Sequence, residues 1–363
     1  MRTFDTHAVR VALDFNRLIP ALAQMFARGC EVPPRQVLNL QPGLTVSLIM
    51  PAWEKQLDAS RASRRRYYGV KVINVAPDNQ ERGLPGLFAT YTLFDADTGE
   101  PLANIEANEL TARRTVAASA LAASQIFAAM RHRDSNHLTP KKMLILGSGR
   151  VATLLAKAYA AVLPVEEVAF WSRNPENARN LVHRLQTERS ARTPTPGAFD
   201  SLKFNVVSDL KASAGQADIV SCATLASTPI IHGAWLKPGG HLDLIGSFTP
   251  AMREADDECF KDRFLFVDTQ EAFAKSGDLI APMERGVIEQ AQLSGTLADL
   301  CQAKGVVLNL AKTASNQDPK PDQVQAQETH PAKIGSVFKS VGTALEDLAA
   351  AILVYESNLN ERS

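Results

Sequence analysis

Between Lys142 and Leu163 the chain reads KMLILGSGRVATLLAKAYAAVL. A short apolar strand runs into Gly147-Ser148-Gly149-Arg150-Val151-Ala152, and helical spacing follows at once. Two glycines between apolar residues are weak on their own. In a strand–turn–helix setting each small residue has a task. Gly147 makes the tight turn, Gly149 lets the backbone approach a pyrophosphate, and Ala152 lets the helix pack closely on the strand. The first amides of the helix then face the phosphates. A tight βα turn without a ligand is the competing reading, and the context favours a dinucleotide cradle.

The texture on either side of Lys142 differs. Downstream, EVAFWS, KFNVVS, ADIVSCAT, GHLDLIGS and RFLFVDT read as short strands alternating with helical segments. That alternation predicts a parallel sheet with crossover helices. Upstream, Leu18–Ala27 has helical spacing that stops near Gly29, and TVSLIMPAW and YYGVKVINVAP read as strands. ATYTLF and PLANIE form a hairpin around Asp97-Thr98-Gly99,. Thr115–Met130 is a helix of small residues, and RHRDSNHLTPKK is a polar linker. Lys312–Lys333 reads as a polar, proline-containing loop, and VGTALEDLAAAILVYE as an amphipathic helix that must dock elsewhere,.

The second strand of the parallel half ends AFWSRNPENA. An NAD site usually carries an acid there for the ribose 2′-hydroxyl. Here Ser172, Arg173 and Asn174 occupy the tip. A guanidinium pairs well with a 2′-phosphate. NADP(H) is therefore the preferred cofactor and NAD(H) remains possible, since Arg173 can equally be an exposed loop arginine.

Charge excludes several classes of partner. Lys+Arg and Asp+Glu number 39 each, so nothing points to nucleic acid or a membrane surface,. The basic run SRASRRRYYG is expected to be a solvated face. No apolar run approaches the roughly 18 residues needed to span a bilayer. The N-terminus lacks the apolar core of a signal peptide. The four cysteines are scattered and the histidines show no H-E-x-x-H, so no disulfide framework or metal is expected, and a cytoplasmic setting fits,.

The first half offers three cations for a substrate. Lys71 lies in a strand of apolar alternation, where a solvent-facing lysine is the competing reading. Arg114 is placed at the start of a helix, where a cation opposes the macrodipole unless an anion joins it. Its neighbour Arg113 is expected to be solvated. Arg35, in VPPRQVLNL, stands on weaker local grounds.

GVKVINVAPDN, LTARRTVAASALAA, LGSGRVA, WSRNPENA, CATLASTPIIHGAWLKPGGHLDLIGSFTPAMREADDE and VFKSVGTALEDLAAA, taken together, resemble the ornithine cyclodeaminase/mu-crystallin family from about Phe15 to Tyr355. The nearest branch is the NADPH-dependent ketimine reductases. The resemblance implies an α/β fold in which a Rossmann domain (126–325) is inserted into an α+β substrate-binding and dimerisation domain (1–125 plus 326–363). It implies a homodimer. It gives Arg35, Lys71 and Arg114 contacts to a substrate carboxylate and reacting nitrogen. The Gly147–Ala152 loop, Arg173, Thr224, Leu225, Ile245 and Ser340 fall to the cofactor. Lys312–Lys333 is longer than usual for the family.

One departure bears on chemistry. Cyclodeaminases of this family carry an aspartate, an acid/base group, where Phe248 stands here. Cyclodeamination oxidises an amine, closes a ring and expels ammonia, which needs several proton transfers. A net reductase delivers one hydride to an imine that can arrive protonated, and needs fewer. The expected activity is NADPH-dependent reduction of a cyclic ketimine carboxylate, Δ1-pyrroline-2-carboxylate or Δ1-piperideine-2-carboxylate. Alternatives are a cyclodeaminase, an alanine or N-alkyl amino-acid dehydrogenase, and an NADPH-dependent small-molecule binding protein.

Overall fold

The computed structural model describes residues 1–41, 45–55, 65–191, 198–302 and 335–360. The stretch Lys312–Lys333 and the start of the basic run, Ser60–Arg64, lie outside the described residues. The chain opens with β1 (Arg2–Phe4), α1 (Thr6–Ala12) and α2 (Phe15–Arg28). Asp5 and Asp14 start the two helices by accepting the amides of Ala8 and Asn16,. β2 (Gln36–Gln41), β3 (Thr45–Trp53), β4 (Tyr67–Val75), β5 (Leu87–Asp95) and β6 (Pro101–Glu106) follow. They form a six-stranded sheet in the order β1-β6-β5-β4-β3-β2, antiparallel except for the β1–β6 pair.

α3 (Ala107–Arg133) starts earlier than its apolar spacing suggests. The Glu106 carboxylate caps it, accepting the amides of Asn108 and Glu109 at 2.9 and 2.8 Å. Arg114 is thus two turns inside the helix, beyond the uncapped amides, and the macrodipole argument for it fails. The expected solvation of Arg113 also fails. Arg113 is buried on Glu109 at 2.8 Å and donates to the Leu13 carbonyl at 3.1 Å.

The second half contains β7 (Lys142–Leu146), α4 (Arg150–Ala160), β8 (Glu167–Trp171), α5 (Pro175–Ala191), β9 (Lys203–Val206), α6 (Leu210–Gln216), β10 (Ile219–Cys222), β11 (His241–Leu244), β12 (Arg263–Val267), α7 (Ala272–Lys275), α8 (Gly277–Glu284), β13 (Leu293–Thr296) and α9 (Leu297–Cys301). β14 (Gly335–Lys339) and α10 (Ala344–Asn360) close the chain. The sheet is wholly parallel, in the order β13-β12-β14-β11-β10-β7-β8-β9. The chain reverses direction across the sheet between β7 and β10, the switch point at which ligands of such Rossmann-type sheets bind. All six strands expected in this half are present. β13 and β14 are additions, and β14, from the segment 326–363, pairs inside the parallel sheet between β11 and β12.

α10 differs from expectation as well. From Ala344 to Ala351 every residue is buried, so it is a core helix and not a docked amphipathic one,. It packs on α2, α3, β3 and β4, while α3 packs on both α2 and α4. Among the described residues no helix is long and apolar enough to cross a membrane.

One carboxylate ties α1, α3 and α4. Glu109, 4% exposed, meets Arg10, Arg113 and Arg150 at 3.3, 2.8 and 2.7 Å. Burial pushes its carboxyl up, but the three arginines outweigh that and hold it at about 2. Glu109→Gln keeps the shape and removes the charge, leaving Arg113 buried without a counter-charge, a cost of about 3 kcal/mol at pH 7. A depressed carboxyl stabilises fully above its unfolded value of 4.5 and loses that stabilisation as pH falls toward 2,. Urea titrations should therefore show the gap between wild type and variant closing across that window.

Candidate active site

The carboxyl ends of β7, β8, β10, β11 and β14, neighbours in the sheet, carry the residues expected at the cofactor, and that of β12 beside them carries Asp268. The Gly147 amide, after β7, donates to the Trp171 carbonyl at 2.9 Å, and the Ala223 amide, after β10, to Leu146 at 2.9 Å. Ile245 continues from β11 and donates to Cys222 at 2.9 Å. Ser340 continues from β14 and donates to Leu244 at 3.1 Å, and Asp268 continues from β12 and donates to Lys339 at 3.1 Å. Gly147, Thr224, Ile245, Ser340 and Asp268 thus stand along one edge.

The glycine loop is shaped as its sequence requires. Gly147 has φ +123°, and a Cβ there would lie 2.5 Å from the Ala223 carbonyl oxygen. A Cβ on Gly149 would meet no protein atom within 4 Å. Gly149 caps α4 without a side-chain acceptor, so the first amides of the helix are left for a ligand,. Ala152 is fully buried. The residues present fit a dinucleotide pyrophosphate. Arg150 turns back to Glu109. Ser148 and Ser172 approach at 3.3 Å between hydroxyl oxygens. Arg173 is exposed and makes no ion pair among the described residues. The Asn174 side chain accepts the Glu176 amide at the start of α5. Leu225 is 78% exposed, while Thr224 is half-buried.

The cations expected at the substrate are drawn together by α10 and the turn before it. Lys71 lies on β4, fully buried and not solvent-facing, with its Nζ 2.6 Å from Asp347 Oδ2. Arg114 Nε donates to Asp347 Oδ1 at 2.9 Å, and its Nη1 to Glu346 Oε2 at 2.5 Å. The anion that joins Arg114 is therefore the protein's own. Burial pushes the Lys71 ammonium down to about 8, against the pull of Asp347. Asp347 lies below the usual aspartate range: burial acts upward, but Lys71 and Arg114 outweigh it. Burial lifts the Glu346 carboxyl to about 8 despite Arg114.

The turn from β14 into α10 joins the two groups. Asp268 accepts the amides of Val341 and Gly342 at 2.8 and 2.6 Å, fixing the backbone between Ser340 and α10. Gly342 has φ +77°, and a Cβ there would sit 2.6 Å from Arg114 Nη1. Arg35, half-buried, lies beside the same glycine, its Nη2 3.5 Å from the Gly342 carbonyl oxygen. Arg35, Lys71 and Arg114 are all gathered around the start of α10.

Sequence reasoning misses the carboxylates. Glu346 and Asp347 stand in TALEDLAA with no hint of their partners. Glu254 is hidden in the same way. Its Oε1 accepts the Thr224 amide and hydroxyl, both at 2.7 Å, and its Oε2 accepts the Gly246 amide at 2.7 Å. One buried carboxyl thereby ties the loops after β10 and β11, and burial lifts it to about 7. The acid-rich MREADDE is its only local signal. Phe248 is half-exposed, beyond the buried Ser247.

Comparison with known proteins agrees with this geometry. The sequence profile of the ornithine cyclodeaminase/mu-crystallin family matches residues 6–362. The Delta(1)-pyrroline-2-carboxylate reductase of Paracoccus denitrificans is 40% identical over 294 residues, 79% of this chain and 82% of that protein. The ketimine reductase mu-crystallin of Rattus norvegicus is 31% identical over 351 residues, 94% of this chain and 91% of that protein. Among solved structures, the Thermococcus litoralis Delta(1)-pyrroline-2-carboxylate reductase in complex with NADH and L-proline has a TM-score of 0.76 at 25% identity. That similarity covers 99% of this chain and 98% of the other.

The fit of Gly342 against Arg114 is open to test. Gly342→Ala is expected to cost about 1–3 kcal/mol from the positive φ, plus a share for displacing the guanidinium. Gly286, with φ +67° and nothing within 4 Å of where a methyl would sit, supplies the control. Urea midpoints should fall further for Gly342→Ala than for Gly286→Ala, and equal losses would refute the close approach.

Proposed function

We propose that this chain, which belongs to the ornithine cyclodeaminase/mu-crystallin family, reduces cyclic ketimine carboxylates with NADPH. The protein is an oxidoreductase that takes hydride from a nicotinamide dinucleotide and acts on a C=N bond. Its substrates are Δ1-pyrroline-2-carboxylate, giving proline, and Δ1-piperideine-2-carboxylate, giving pipecolate. The observation that carries the reading is the convergence of Lys71 and Arg114, both buried, one turn of backbone from the cofactor edge of the sheet.

In this reading the Gly147–Ala152 loop takes the pyrophosphate, and Thr224, Leu225, Ile245 and Ser340 line the nicotinamide side. Ser172, Arg173 and Asn174 surround the adenosine ribose, with Arg173 on a 2′-phosphate. When bound, the reduced nicotinamide supplies the hydride. Arg114 and Arg35 orient the substrate carboxylate, and Lys71 serves the carboxylate and the imine region. Holding the imine in one pose supplies much of the rate. Phe248, which cannot titrate, supports reduction over cyclodeamination.

The reading extends to assembly and setting. Residues 1–125 and 326–363 form the substrate-binding and dimerisation unit, with β14 lent to the parallel sheet of 126–325. All six residues of β2 are exposed at the sheet edge, with Val37, Leu38 and Leu40 between 42% and 62% exposed. An apolar edge strand of this kind needs a cover, and a second copy supplies it. The free thiols of Cys30, Cys222, Cys259 and Cys301 support a cytoplasmic setting,.

The purified protein is expected to oxidise NADPH when given either cyclic imine, followed by absorbance, and no oxidation with either would refute the reading. Arg173→Ala should raise KM for NADPH by about 10–100-fold, the loss of a charge-assisted contact, and leave KM for NADH nearly unchanged. Sedimentation should show a dimer for the wild type. Leu38→Lys combined with Leu40→Lys places two charges on one strand face and should give monomers.

A further inference from the structure

Asp347 contacts both buried cations at once. Its Oδ2 is 2.6 Å from Lys71 Nζ and its Oδ1 is 2.9 Å from Arg114 Nε, with the side chains of Asp347, Lys71 and Arg114 0%, 0% and 7% exposed. The cations come from different elements, β4 and α3, and without a charge between them they would repel across a site that water does not screen. We propose that Asp347 is a positioning residue for the reduction: it keeps Lys71 protonated and fixes the aim of Arg114, so that both cations stand ready for one substrate carboxylate. The identity of the ligand rests on the ketimine-reductase reading, whereas the pairing itself does not.

The neighbours of Lys71 leave this role to Asp347. On β3 its register partner is Met50, and on β5 it is Tyr91, whose hydroxyl is buried without a hydrogen-bond partner. α3 supplies Thr111, with Oγ1 at 3.5 Å, and Arg114. α10 supplies Glu346 and Asp347, and only Asp347 forms an ion pair with Lys71 among the described residues. Glu346 meets Arg114 through one oxygen, while its Oε1 is buried without a partner. Burial lifts the Glu346 carboxyl to about 8 against the pull of Arg114, and it makes no ion pair with Lys71 among the described residues. Asp268, which also acts on Arg114, is committed to the amides of Thr269, Val341 and Gly342. Among the described residues, Asp347 is thus the one carboxylate in contact with both cations.

Packing does not require an acid at this position. Leu345, Leu348 and Ile352 already bury α10, and an apolar residue in place of a buried ion pair often stabilises a fold as well or better. An aspartate here is better explained by what it does to the two cations.

Asp347→Asn keeps the shape and removes the charge. Losing an opposite charge in contact should lower the Lys71 titration by about 1–3 units. The alkaline limb of kcat/KM for the imine moves down by the same amount, and kcat/KM at pH 7 falls by about 2- to 100-fold across that range. The Kd for NADPH, read by fluorescence, changes little. Asp347→Glu keeps the charge and shifts its reach, so the limb stays in place while kcat/KM falls. A folded Asp347→Asn protein with an unmoved limb, or an Asp347→Glu protein with wild-type kcat/KM, would overturn the proposal. The Lys71 Nζ resonance of 15N-lysine-labelled protein, assigned with Lys71→Arg, gives the same titration without turnover. A neutral amine at pH 7 in the wild type also overturns the proposal. Wild-type protein inactive on imines but with the expected Nζ titration refutes only the ketimine reading.

Discussion

A lysine and an arginine can share a dry interior only if a counter-charge comes with them, because the cost of removing ions from water exceeds what packing returns. Lys71 on β4 and Arg114 on α3 both belong to the first half of the chain, yet their counter-charges come from α10, more than 230 residues later. The six-stranded sheet and α3 are thus electrostatically incomplete until the chain has built the parallel sheet and returned. That dependence explains why α10 is buried on all sides from Ala344 to Ala351 and lies among α2, α3, β3 and β4. The return of α10 to the first sheet and the pairing of its two buried cations are the same structural fact.

The return path sets the distance between the two halves of the chemistry. β14 joins the parallel sheet between β11 and β12, so Ser340 emerges on the edge already carrying Gly147, Thr224 and Ile245. Seven residues later the chain is at Asp347. Asp268, at the tip of the adjacent β12, holds the intervening amides, and Gly342 lets the backbone pass against the Arg114 guanidinium. Glu254 performs the matching task on the other side by tying the loops after β10 and β11. Buried carboxylates on backbone amides make both loops rigid, which a site relying on pose for its rate requires.

The parts of this arrangement that are local in sequence are legible there, and the parts that depend on distant pairing are not. Gly147, Gly149 and Ala152 declare their roles because strand, turn and helix are contiguous. The six strands of the parallel half show in their apolar runs. β14 does not, since GSVFK is short and follows a long polar stretch. Arg114 stands out in the sequence, but for a reason that fails: the helix begins at Ala107, where Glu106 caps it, and not at Thr115. Arg113 reads as solvated because Glu109, four residues earlier, gives no sign that it faces inward. Glu346 and Asp347 leave no local trace at all. Their partners lie in other elements, and neither periodicity nor propensity encodes such a contact. Within the sequence, only the family resemblance brings Lys71, Arg114 and Arg35 to one site.

The distribution of titratable groups bears on the direction of the reaction. Phe248, at the position where the family resemblance implies an acid for a cyclodeaminase, is a half-exposed apolar side chain. The ionisable groups Lys71, Asp347, Arg114 and Asp268, gathered around the start of α10, are engaged with one another or with backbone amides. Groups held in that way fix charge and orientation, and shuttling a proton would break the pairing that keeps them buried. Cyclodeamination needs protons taken and returned at several stages. Reduction of an iminium that arrives protonated needs a fixed anion site and a hydride, and fixed charge is what β4, α3 and α10 provide.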